Sequence, residues 1–190
     1  MTEPTKEQLD EAFSTCIEDM KIMVAEWTVN DKGDVMNPMV MMLMRTIPDK
    51  IEGLPFDIKA LDGDASAVGP KIVLLNPHMI TPEGQPCIPI GLFWKIMKVL
   101  GIKTNAFGMV IGMEAWTVVA KDRSEMPQDL SKVPGREESC IVTAEREGTR
   151  SIYKAKISRD SEGKAIIGPW EDEFKAEGRV FNSIPGNVQN

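Results

Sequence analysis

A single histidine, His78, stands in 190 residues, and that shortage removes most zinc chemistry. Such a centre gathers several nitrogen, sulfur or carboxylate ligands, commonly two or three of them histidines. Serine hydrolase machinery goes with it, since there is no Gly-x-Ser-x-Gly elbow and His78 would have to serve alone. Cysteine is scarce and scattered: Cys16, Cys87 and Cys140 are far apart and odd in number. That argues against a disulfide framework and for a reducing compartment, so the expected location is the cytoplasm. A dyad of Cys140 with His78 fits by residue type alone, but Cys140 lies in an apolar strand, where thiols are inert. Long hydrophobic runs are missing too. Gly, Pro or Lys breaks each one before the roughly 20 residues of a spanning helix. The N-terminal MTEPTKEQLDEAF has neither the basic start nor the apolar run of a secretory signal. Positive charge is in deficit, 22 Lys and Arg against 29 Asp and Glu for a net charge of -7, with no basic stripe. Nucleic acid and membrane are therefore not expected as partners. The stretch GDASAVGPK lacks the Walker spacing, and Pro70 followed by a strand denies it a helix N-terminus. No motif calls for a cofactor or a metal.

What the chain does have is periodic hydrophobicity, consistent with one domain over residues 1–190. Thr5 and Gln8 have capping-box spacing, and Leu9, Phe13, Cys16, Met20, Met23 and Trp27 recur at steps of four and three, which predicts a helix over Thr5 to Trp27. Met36, Met39, Met41, Met42 and Met44 crowd the next apolar segment, which reads as a strand from about Met39 after Pro38. Flexible thioethers suit either an irregular core or an adaptable surface. Pro48 to Pro70 reads as an irregular connection, Lys71 to Leu75 as a short strand, and Asn76 to Pro89 as a proline-punctuated loop. Ile90 to Leu100 reads as a second helix stopped by Gly101. After a long central strand, Ser139 to Arg146 and Arg150 to Ser158 flank a hairpin turn at Glu147, Gly148 and Thr149. Lys164 to Gly168 follows, and the tail from Pro169 packs back as a short helix or strand. Short turns impose antiparallel pairing, and the second helix allows one crossover. The expected fold is α+β, a mainly antiparallel sheet of about five to six strands with two helices packed on one face.

The central stretch, Asn105 to Ala120, is apolar nearly throughout yet carries Glu114 directly before Ala115 and Trp116. A charge inside a core strand is costly unless paired. If the polar connection Lys121 to Glu138 closes with Ala120 opposite Ser139, antiparallel pairing sets Glu114 opposite Glu145. Like charges so placed need an arginine, a cation or a shared proton between them. Otherwise Arg136, Arg146 or a backbone cap holds Glu114. The connection is longer than an ordinary hairpin loop and is the expected lid or binding rim.

At GMEAWTVV, then PGREESCIVTAERE and GPWEDEFKAEGRVFNSIP, the chain resembles an uncharacterised group of proteins in bacteria, archaea and their viruses. The likeness runs over roughly Ile102 to Pro185 and implies no established activity. It marks Glu114, Trp116, Arg136, Glu137 and Glu145 as the candidate binding positions. The leading expectation is a non-enzymatic cytoplasmic binding or regulatory protein, an accessory protein of a phage or mobile element, with a small-molecule or protein partner. One alternative is a small hydrolase or transferase using a Glu114/Glu145 carboxylate pair as acid and base, with or without a divalent cation. The other is a structural oligomer subunit. Thirteen methionines and 42% hydrophobic content add the expectation of a homodimer or higher homo-oligomer.

Overall fold

The computed structural model describes residues 4–30, 37–45, 70–77, 87–104, 106–117 and 135–177. The expected connection from Pro48 as far as Gly69, His78, Ala120 and most of the expected rim, Lys121 to Pro134, lie outside the described residues. The elements run α1 (Lys6–Asn30), β1 (Met39–Met44), β2 (Lys71–Leu75), α2 (Ile90–Lys103), β3 (Gly108–Thr117), β4 (Glu137–Arg146), β5 (Thr149–Arg159), β6 (Ala165–Ile167) and β7 (Glu171–Glu177). The fold is α+β. Its strands form one sheet in the order β2-β1-β3-β4-β5-β6, with β7 also on β5, and every pairing is antiparallel. Seven strands exceed the expected count by one. β2 and β3 both flank β1, and α2 carries the chain between them.

The capping box forms at the start of α1: Thr5 N donates to Gln8 Oε1 at 2.8 Å, and Gln8 N donates to Thr5 Oγ1 at 3.3 Å. The β4–β5 hairpin turns on Glu147 and Gly148, both at positive φ (50° and 85°), the pairing a tight primed turn requires. Gly101 does not stop α2. The helix continues to Lys103, and Thr104 closes it, its N and its Oγ1 both reaching the Leu100 carbonyl.

The two helices lie on opposite faces of the sheet, not on one. Met39, Met41 and Leu43 pack with Leu9, Cys16, Ile17, Met20 and Val24 of α1, whereas the intervening Val40, Met42 and Met44 pack with Phe93, Ile96, Met97 and Leu100 of α2. The reason is β1 itself. Successive strand residues point to opposite faces, and all six of these are apolar, so both faces need a covering layer. The methionine cluster is core on both sides, and the expectation of a homo-oligomer loses it as support.

α1 runs along β3 in the same direction. Phe13 lies over Gly108, Met20 and Val24 over Gly112, and Thr28 beside Cys140. Both glycines are on the α1 side, and their missing Cβ atoms are what let the helix sit this close. A Cβ at Gly108 would stand 2.8 Å from the Phe13 ring; one at Gly112 would stand 2.5 Å from Met20 Sδ and collide with Val24 Cγ2. No helix of the described residues is long and apolar enough to cross a membrane.

Candidate functional site

α1 outlasts the sheet's hydrophobic centre, and the polar residues of β3 and β4 collect where it ends. Even-numbered residues of both strands share the α1 face. Glu114 is paired with Cys140, and Trp116 with Glu138. Cys140 is buried and exchanges a 3.5 Å hydrogen bond with Thr28 of α1. Burial pushes its thiol above the ordinary cysteine range, with the charges of Glu114 and Glu138 adding to the push against the Thr28 hydrogen bond. This thiol is a packing group, as expected of a cysteine in an apolar strand. Glu138 takes a two-pronged hold from Arg159, Nε to Oε2 at 3.2 Å and Nη2 to Oε1 at 3.0 Å, and Arg159 Nη1 also donates to the Gly163 carbonyl. The Glu138 hydrogen bond and charge, then the charge of Glu114, raise the Arg159 pKa above its ordinary value. Arg136 lies over the Trp116 ring at 4.5 Å.

Three of the expected positions, Glu114, Trp116 and Arg136, therefore meet at one end of the sheet, and two do not. Glu137 is on the opposite face. It receives Lys156 Nζ at 2.7 Å and Lys154 Nζ at 3.4 Å, and the Lys156 hydrogen bond leads in lowering its pKa below the ordinary 4.5. Glu145 is opposite Met109 and Arg150, 1% exposed, on the face that α2 shares. The Glu114/Glu145 carboxylate pair is overturned by this register: Ala115, not Ala120, faces Ser139. The offset is an odd number of residues, which separates the two glutamates along the strands and also sends them to opposite faces. Arg146 is not the partner of Glu114 either. It pairs with Asp10 of α1 at 2.6 Å and lies 5.6 Å from the Phe13 ring centre. Among the described residues no group of three or more His, Cys, Asp and Glu is arranged to hold a metal ion.

Sequence reasoning missed Glu138, Arg159 and Trp27. Trp27 shares the helical spacing of the apolar side of α1, yet it is 48% exposed, because it lies to one side of the buried line of Met20, Val24 and Thr28, toward the β1–β2 edge. Beside it a groove of about 560 Å³ opens between α1 and the β1–β2 edge, lined by Met23, Trp27, Met39 and Leu74 with Glu26, Asn30 and Asn76. It is an open groove whose wall is largely apolar. The negative pole of α1 ends there, with Glu26 on the last turns and no basic residue in the final one. Compared with known proteins, the chain matches no family model, no curated protein and no solved structure.

Proposed function

We propose that this chain is a non-enzymatic binding protein, and that the groove between α1 and the β1–β2 edge takes an apolar group bearing a positive charge, an alkylammonium or a basic side chain of a partner. The observation that carries this is the half-exposed Trp27 beside Met23, Met39 and Leu74, at the carboxyl end of a helix that adds Glu26 and has no basic residue in its last turn. An aromatic face and a helix C-terminus both favour a cation, and the thioethers adapt to its apolar body. Cys16, Cys87 and Cys140 are all free thiols, which supports a cytoplasmic setting. The acid–base alternative loses its pair of carboxylates to the strand register.

The test is a methionine-methyl NMR titration with hexylammonium and with a short lysine-rich peptide. The Met23 and Met39 methyls should shift, those of Met42, Met44 and Met97 in the α2 core should not, and Glu26→Gln should weaken the response several-fold. Shifts spread evenly over both cores, or none at Met23 and Met39, would sink this reading.

A further inference from the structure

α2 is apolar on more than the face it buries. Phe93, Ile96, Met97 and Leu100 fill the core, yet Leu92, Val99 and Ile102 on the far side are 47%, 38% and 49% exposed. With Lys95 they recur at steps of three, four and three, one continuous outer ridge. Every charge on α2 is positive, Lys95, Lys98 and Lys103, in a chain whose net charge is -7. α1 presents the complement. It carries six acids against two lysines. Glu7, Glu11, Glu18 and Ile22 recur along its solvent side, with Ile22 at 56% exposure the apolar member. Leu92 to Ile102 rises about 15 Å along α2 and Glu7 to Ile22 about 22 Å along α1, so the acidic ridge is long enough to seat the whole of the α2 ridge.

We propose that copies of this chain associate head to tail, with the lysine-flanked ridge of α2 in one copy seated on the acidic ridge of α1 in the next. Charge decides against the symmetric contact. Two α2 ridges facing each other would oppose Lys95 and Lys98 to their own equivalents, whereas α2 on α1 pairs opposite signs and covers Ile22 with Leu92, Val99 or Ile102. The two ridges lie on opposite faces of the sheet, so the contact is heterologous, and an open chain of copies keeps one free α1 ridge at one end and one free α2 ridge at the other until a ring closes. One apolar residue on the α1 side makes this a weak, salt-sensitive interface.

Sedimentation velocity on the full chain tests it, up to about 300 µM, where weak interfaces populate. Wild type should rise above the 21.1 kDa monomer with concentration and fall back when salt is raised about tenfold. Val99→Glu/Ile102→Glu and, separately, Glu11→Lys/Ile22→Lys should each be monomeric with unchanged circular dichroism. Mixed together they should form a one-to-one pair and nothing larger, because each retains the half that the other lacks. Should Val99→Glu/Ile102→Glu lose its fold, Lys95→Glu/Lys98→Glu takes its place, and should Glu11→Lys/Ile22→Lys lose its fold, Glu7→Lys/Glu11→Lys does; both alter only exposed charge. A wild type that stays monomeric overturns the proposal. So does a mixture that stays monomeric while wild type associates, which is the mark of a symmetric contact. A monomeric wild type that binds phosphatidylserine vesicles through Val99 and Ile102 would assign the ridge to an anionic lipid surface instead.

Discussion

Glu114 shares its face with Cys140, Glu138 and Trp116, and Arg159, whose charge it feels, is hydrogen-bonded to Glu138. The hold of Glu114 on Arg159 is electrostatic. That Glu114 would be a conspicuous charge in an apolar strand was legible in the sequence. Its partner was not, because the register across a long connection depends on where the connection closes, and an odd slip exchanges the faces. Glu138→Gln breaks a bidentate pair whose arginine is 46% exposed and whose glutamate is 23% exposed. Solvent screening limits the expected cost to about 0.5–1 kcal/mol. Glu114→Gln removes a charge that makes no such pair among the described residues and should change stability by less than about 0.5 kcal/mol. Urea denaturation of both variants checks the order. A loss of about 3 kcal/mol or more in Glu114→Gln would mean that it neutralises a buried cation, and the polar cluster would then be architecture.

Elements were read well wherever local chemistry fixes them. The Thr5–Gln8 capping box, the Glu147–Gly148 turn and the Lys71–Leu75 strand rest on residues close in sequence, and all three form as expected. The arrangement of those elements was less legible. Apolar residues on both faces of β1 signalled burial, but periodicity does not say which layer covers which face, and so α2 went to the wrong one. The two glycines of β3 carried a further signal. Gly108 and Gly112 are four residues apart on one face, where a strand side chain would block a helix. Gly112→Ala must displace Met20 and Val24 together, and an expected cost of about 1–3 kcal/mol follows from overpacking. Gly108→Ala meets only the edge of the Phe13 ring and should cost less. Thermal melts rank the two, and equal, negligible losses would show that α1 sits further from the sheet than this packing requires.

The whole molecule is organised about a strand that belongs to two cores at once. Leu43 and Met42 are neighbours in β1, each fully buried, one against α1 and the other against α2. Truncating either to alanine should cost about 2–5 kcal/mol, a large share of the roughly 5–15 kcal/mol by which such domains are stable. Their side chains do not touch, because they leave the strand in opposite directions. What couples them is the backbone of β1, which pairs with β2 on one side and β3 on the other. If that coupling is strong, loosening the α2 core in Met42→Ala also releases α1, and unfolding remains one transition. Trp94 reports the α2 side, since its ring meets Phe93 edge-on with centroids 5.1 Å apart. Circular dichroism follows both helices together. In a Met42→Ala variant whose other tryptophans are phenylalanine, the two signals should melt at the same denaturant concentration, below that of the parent. A Trp94 transition that precedes the loss of ellipticity would show α2 leaving the sheet alone. The sheet would then be a wall that separates two independently stable layers rather than the element that joins them.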